Sequence, residues 1–186
     1  MAIPYFHHSF FLFIPMNFLA LAKERYSLRQ YSSRPVEPEK LDAILRAASL
    51  APTGCNFQPQ RILVATASEV LAKIRKCTAY QFNAPVTLVI CYDKNSCWVN
   101  HEGEPNGPID AAIVTTHMML EAVEQGLGTC WVGSFDRAKL QQELDIPANY
   151  LPVALLPLGY AAPQAAPAPM HTNHKPYEDF TFQDHF

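Results

Sequence analysis

Residues 85–93 read PVTLVICYD, a nearly continuous apolar run of β-prone residues. A strand with one wet face alternates apolar and polar side chains, whereas an unbroken run is covered on both faces. The chain must therefore supply apolar surface for two sides of this strand. That requirement points to a layered domain in which helices pack on a sheet.

The remaining segments can meet it. From Glu37 to Leu50, Leu41, Ile44, Leu45 and Ala48 recur at helical spacing, with Pro38 suited to the first turn and Pro52 ending the segment. Residues 61–66 (RILVAT) predict a short strand. Ser68 is placed to cap a helix in which Val70, Leu71 and Ile74 share a face. Residues 94–107 are polar and carry Gly103, Pro105 and Gly107, so they predict a loop.

Pro108 then opens the strongest helix, whose stripe is Ile109, Ala112, Ile113, Thr116, Leu120 and Val123, with Gly126 as its stop. Met118 and Met119 widen its apolar surface beyond one stripe, as in a helix buried in a core or a subunit contact. Asp136 predicts the cap of a short helix to about Leu144. Residues 152–160 (PVALLPLGY) predict a strand that Pro157 places at a sheet edge or ends early. The Pro- and Ala-rich tail from Ala161 reads as extended. Strands alternating with helices, without internal repeats, make an α/β or α+β domain.

Composition narrows the function. With 49% apolar and 17% charged residues the chain is of globular type, and a net charge of −3 provides no broad basic field for nucleic acid. The five cysteines are odd in number and form no C-x-x-C pair, which argues against a disulfide framework or structural zinc and for a reducing, cytoplasmic setting. The N-terminal apolar run has no Lys or Arg before it, is interrupted by Pro4 and Pro15, and is too short and broken to span a bilayer. Residues 1–15 thus read as a peripheral extension, and 16–186 as a single domain whose first helix starts at Met16.

Gly126-Leu127-Gly128 with Gly133 is a poor dinucleotide loop, because it follows a helix and its third glycine is too distant. No G-x-x-x-x-G-K-[ST] occurs. His7-His8 and the pair His171 and His174 lack the company of a metal motif. His117 lies among apolar neighbours on its helix, as a core or interface histidine does. Cys55 with His117 or His101 would furnish a nucleophile and base, so a cysteine hydrolase remains one reading. Another rests on separated polar groups suited to an anionic, planar ligand. Arg25, Ser27 and Arg29 offer two guanidinium forks and a hydroxyl for phosphate, with Tyr26 between them. Asn56 and Gln58 carry amides for a heterocycle edge, GTCWVG (128–133) flexible backbone and a flat side chain, and Lys175 a further positive charge.

The order of these pieces is more specific than any one of them. Arg25-x-Ser27-x-Arg29, then Ala51-Pro52-(x)3-Asn56-x-Gln58-Pro59, a long helix ending in GLGTCWVG, and a late His174-Lys175-Pro176 resemble the FMN-dependent nitroreductase family from about Met16 to Tyr177. The resemblance implies an α+β three-layer sandwich, with an antiparallel or mixed central sheet flanked by helices. It also implies an intertwined homodimer with FMN sites at the subunit interface. Arg25, Ser27 and Arg29 would hold the FMN phosphate and ribityl region, Asn56 would contact the flavin, and Trp131, Val132 and Gly133 would line its ring. Pro52, Thr53, Gly54 and Gln58 would shape the flavin loop, with Gly54 letting the backbone approach the ring, while His174 and Lys175 would return to the phosphate. NAD(P)H would act as a transient hydride donor, and a quinone, nitroaromatic or other electron-poor acceptor would reoxidise the flavin in a ping-pong cycle. A flavin-binding protein without turnover would share the phosphate residues. Tyr26 and Gln60 depart from the family's pattern at positions that bear on the choice of acceptor.

Overall fold

The computed structural model describes residues 17–186, so the expected extension over 1–15 and the start at Met16 lie outside the described residues. The unbroken apolar run forms β2 (Val86–Asp93), and every one of its eight residues is buried. Because successive side chains point to opposite faces, Val86, Leu88 and Ile90 enter one core cluster, and Val89 and Cys91 enter another. Antiparallel partners flank β2 on both sides: β1 (Gln60–Ala65), with Ile62 opposite Ile90, and β4 (Tyr150–Gly159), with Leu156 opposite Leu88. The two-residue β3 (Gly128–Thr129) closes the order β1-β2-β4-β3.

Helices cover both faces of this sheet. On one side lie α2 (Pro38–Leu50) and α4 (Gly107–Glu124), contributing Ile44, Ala48, Val114 and Met118 to the first cluster. On the other lie α3 (Ser68–Arg75) and α5 (Arg137–Glu143), contributing Leu71, Ile74 and Leu140 to the second. The short α1 (Phe18–Glu24) contacts α4 but buries none of its residues. Helix–sheet–helix layering with an all-antiparallel sheet makes the α+β sandwich that the sequence implies.

Three local expectations change. Ser68 does not cap α3: it is already the first helical residue, its hydroxyl goes to the Glu69 carboxylate, and Ala67 occupies the cap position. Pro157 sits inside the sheet rather than at its edge. Leu155 exchanges both backbone bonds with Val132, so the imide nitrogen of Pro157, two residues on, also faces away from β2. Its missing N–H therefore costs nothing in the β2–β4 ladder, and its carbonyl still accepts from Cys130 N.

The third change concerns α4. Its buried face is Ala111, Val114, Thr115, Met118, Met119 and Ala122, whereas the stripe expected from Ile109 to Val123 turns outward. Ile109 is 58% exposed, and Ala112, Ile113, Leu120 and Val123 are half-buried. A helix apolar nearly all round fits two stripes one residue apart, so periodicity alone leaves its rotation open by about 100°. Packing chooses the face with Ala111 and Ala122, whose small side chains let the helix approach the sheet. Asp136 caps α5 as expected, accepting from Lys139 N, and Gly126 ends α4 at φ 72°.

Candidate functional site

After α1 the chain runs extended beside β3. Ser27 bridges Thr129 in parallel and Leu28 N donates to Thr129 O at 2.9 Å. Leu28 is 1% exposed and anchors the segment. Alternation then places Arg25, Ser27 and Arg29 together on the side opposite Leu28, which gives the R-x-S-x-R spacing its physical meaning. The approach is close: a Cβ on Gly128 would fall 2.4 Å from the Leu28 side chain.

The tail returns to the same place. Ala162 N donates to Gln30 O, and Ser32 N donates to Tyr160 O. The Tyr31 hydroxyl lies 2.9 Å from Leu28 O and 3.0 Å from Pro157 O. Burial pushes the Tyr31 phenol far up, so it serves as a neutral donor. A short 3-10 turn (Pro169–Thr172) then sets His171 edge-on to Tyr26, with ring centroids 6.1 Å apart.

The result is a cleft of about 240 Å³ lined by Arg25, Tyr26, Ser27 and Arg29 on one side and by Met170, His171 and His174 on the other. Among the described residues neither arginine makes an ion pair, and no carboxylate lines the cleft. Two guanidinium groups facing one space, with no counter-charge, favour an anion between them. Lys175 is exposed and is not part of the lining. Burial raises the Cys130 thiol and keeps it protonated beside this cleft, against the opposing pull of Arg29.

The segment after α2 is built differently. Ala51 is buried and Pro52 exposed, and the chain then makes a tight 3-10 turn (Gly54–Asn56). Cys55, Asn56 and Gln58 all hold left-handed backbone, at φ 48°, 57° and 49°. Such residues cost roughly 1–2 kcal/mol each, so something must hold the loop. Thr53 Oγ1 accepts from Gln58 N at 3.0 Å. Asp110, in the first turn of α4 and fully buried, accepts from Gly54 N at 2.9 Å and from Asn106 Nδ2 at 2.7 Å, both through Oδ1. Its Oδ2 is buried without a partner among the described residues.

Gly54 itself does not take the left-handed backbone. A Cβ there would meet Trp98 Cβ at 3.2 Å and Asn106 Nδ2 at 3.1 Å, so its role is to let the loop close on α4. Cys55, Asn56 and Gln58 are displayed outward. The Cys55 thiol has no hydrogen-bond partner among the described residues. His117 Nδ1 bonds the Ile113 carbonyl, and His101 is almost fully exposed beside Glu102. A nucleophile–base pair is not assembled there.

Trp131 packs half-buried against the α2–α4 cluster, and Gly133 is exposed. Val132 differs from the expectation. It is 4% exposed, and both its backbone groups are spent on Leu155, so it has none to offer a ligand.

Within one chain the two halves of the expected site do not meet. The Asn56 loop is fastened to Asp110 at the start of α4. Tyr26 and Leu28 line a second cleft with Val123 and Gly126 at its end. From 110 to 123 is thirteen residues, about 20 Å of helix. Asp110, which holds the loop, and His171, on the cleft wall, are two residues to which sequence reasoning assigned no ligand-binding part. An acidic residue amid the apolar α4 pattern was a signal for the first. For the second the only signal was its spacing from His174.

Among the described residues no group of three or more His, Cys, Asp or Glu is placed to hold a metal ion, and no helix is long and apolar enough to cross a membrane. The sequence model of the nitroreductase family matches residues 22–85 and 79–160. A protein of Methanothermobacter thermautotrophicus, provisionally named NADH dehydrogenase/NAD(P)H nitroreductase, is 31% identical over 159 residues, covering 79% of this chain and 78% of its own. A crystal structure of a nitroreductase family protein from Clostridium difficile superposes with a TM-score of 0.85 at 38% identity, over 92% of this chain and all of that one. A second structure from that species, titled an FMN-dependent nitroreductase, has 27% identity and a TM-score of 0.77, covering 90% of this chain and 99% of its own.

Proposed function

Because the chain belongs to the nitroreductase family, we propose that it is an FMN-dependent NAD(P)H oxidoreductase whose flavin sites are shared between two copies. FMN held there would supply the redox chemistry, hydride transfer from NAD(P)H and reduction of a nitroaromatic, quinone or other electron-poor acceptor in a ping-pong cycle. The observation that carries the reading is the cleft with two guanidinium groups beside Ser27 that make no ion pair among the described residues, the donor set that a phosphate ester requires.

Arg25, Ser27 and Arg29 hold the phosphate end, with His174 on the opposite wall and Lys175 adding charge from the tail. Asn56 and Gln58 present amides to the edge of the heterocycle on backbone fixed by Thr53 and Asp110, and exposed Pro52 flanks that loop. Trp131 and Gly133 border the ring region, and Tyr26 shapes the cleft wall. Positive groups and backbone donors would stabilise negative charge on the ring when FMN is bound, a contribution of several kcal/mol in preorganised sites.

The separation of the halves calls for a dimer. The outward stripe of α4 (Ile109, Ile113, Leu120 and Val123), with Phe18 and Leu19 of α1 at 66% and 78% exposure, supplies the apolar surface. A second copy laid antiparallel across α4 brings the Asn56 loop of one chain to the arginine cleft of the other. Five free cysteines suit a reducing, cytoplasmic setting.

The test is a spectrum and a column. Purified protein supplied with FMN should show flavin absorbance at one FMN per chain, elute as a dimer, and oxidise NADH or NADPH when a quinone or nitroaromatic is present. A colourless protein that takes up no FMN sinks the proposal. Flavin binding without turnover reduces it to a flavin-binding protein.

A further inference from the structure

A separate cleft forms where β4 outruns its neighbour. β3 pairs only with Leu158 and Gly159, and Val132 bridges Leu155, so residues 150–154 have no strand on their outer side among the described residues. A register shift adds Val153 as an extra residue there, because Cys91 faces Pro152 while Ile90 faces Ala154. Two side chains one turn apart on α5 cover the outward carbonyls. Arg137 Nε donates to Pro152 O at 3.2 Å, and Gln141 Nε2 donates to Tyr150 O at 3.3 Å. Between them and the start of α4 lies a cleft of about 300 Å³, lined by Tyr92, Pro108, Arg137, Gln141 and residues 151–153. None of these residues belongs to either half of the flavin site proposed above.

The cleft is an apolar slot with one fixed cation. Arg137 makes no ion pair among the described residues, and no carboxylate lines the space. Its Nε is spent on Pro152 O, and its guanidinium lies over the Phe135 ring, 5.4 Å from the centroid. The group is therefore held in place while its two terminal nitrogens make no hydrogen bond among the described residues. Such a fork pairs with a carboxylate. The floor carries a second, independent signal. Tyr92 is 6% exposed, its ring fills the space where Gly107 would carry a Cβ, and its hydroxyl has no partner among the described residues. Burial raises this phenol and leaves it a neutral donor, and buried hydroxyls ordinarily meet an acceptor. Pro108, Leu151, Pro152 and Val153 add apolar side chains around these polar groups. Small-molecule sites combine the same two ingredients, and this one is of the smaller kind. We propose that the cleft binds a small aryl monocarboxylate, its carboxylate on Arg137 and its ring against Pro108, Leu151 and Val153. The site is independent of the flavin reading.

Phenylacetate, phenylacetamide and acetate serve as probes, titrated into the isotope-labelled full chain while backbone amide shifts are followed by NMR. Phenylacetate should move the amides around Arg137 and Val153. It should bind about tenfold more tightly than phenylacetamide, which lacks the charge, and than acetate, which lacks the ring. R137Q should lose about tenfold in affinity and Y92F several-fold. R137K, which keeps the charge but not the fork, should fall between wild type and R137Q and shows that the loss is not one of folding. Wild type that binds no phenylacetate overturns the inference, as does R137Q with wild-type affinity. Acetate binding as tightly as phenylacetate reduces the cleft to a bare surface cation and overturns it as well. So do shifts confined to residues 25–29, which would put the probe in the arginine cleft. Phenylacetate that splits a dimer into monomers would give the cleft to a second copy, and likewise overturns it.

Discussion

The two halves of the candidate site are built on opposite principles. Residues 25–29 are extended backbone in an ordinary conformation, docked by Leu28 and one bridge to Thr129. Their message lies in side chains at every second position. Residues 52–58 carry their message in the backbone: three non-glycine residues are forced left-handed and held by a carboxylate more than fifty positions away. A site that must grip charge can use relaxed chain, because the charge does the work. A site that must present amides at a set angle needs its backbone fixed against preference, and some distant group has to hold it.

This contrast can be broken most severely at the charged half. Replacing Arg25 and Arg29 together by alanine should weaken FMN binding by about a hundredfold or more, since two charge-assisted contacts are lost. The thermal midpoint of the flavin-free protein should stay near wild type, because among the described residues neither side chain makes an ion pair and Arg29 gives up only a long, exposed bond to Ser27 O. Retention of stoichiometric FMN on purification would show that the cleft is not the phosphate site.

The strained half should respond through its anchor. Asp110→Ala leaves Gly54 N–H and the Asn106 amide without their acceptor, a cost of about 2–3 kcal/mol in unfolding free energy. It should also weaken FMN about tenfold by releasing the loop, whereas Asp110→Asn, which keeps an acceptor oxygen, should recover most of both. Denaturant unfolding and flavin titration read the two effects separately. A stability loss with unchanged FMN affinity would mean that the loop is no half-site.

Asn56→Gly separates backbone from side chain. Glycine accepts φ 57° freely, so stability should hold or rise by about 1 kcal/mol while flavin affinity still falls several-fold for want of the amide. Unaltered affinity would place recognition in the backbone alone. Cys55→Ser should have the smallest effect, with turnover within about twofold of wild type, because no base is set beside the thiol among the described residues and flavin chemistry needs no nucleophile. Abolished turnover would revive the thiol reading.

Legibility in the sequence followed the same division. R-x-S-x-R could be read because a period of two survives any docking of an extended segment. In the loop, Asn56 and Gln58 could be named, but the purpose of Gly54 could not. Its φ is ordinary, and what needs its missing side chain is the approach of Trp98 and Asn106 from the segment leading into α4. The burial of Val132 was hidden for a related reason. Its position beside Trp131 is visible in the chain, whereas its backbone bonds to Leu155 come from a strand twenty residues later.

The sequence alone determined the layering. An eight-residue strand with no polar face can only lie between two apolar layers, and helices of suitable period stood on either side of it in the chain. It also determined which charges are available to an anion, because arginine stays charged in any setting. Tertiary structure decided the rest. It set the inward face of α4, whose apolar surface runs nearly all round, so that close approach at Ala111 and Ala122 settled the rotation. It put a proline strand inside the sheet, because the imide nitrogen could face the short β3. And it docked the 25–29 segment on β3, beside the end of α4, while fastening the Asn56 loop to Asp110 at the start of that helix, about 20 Å of helix away.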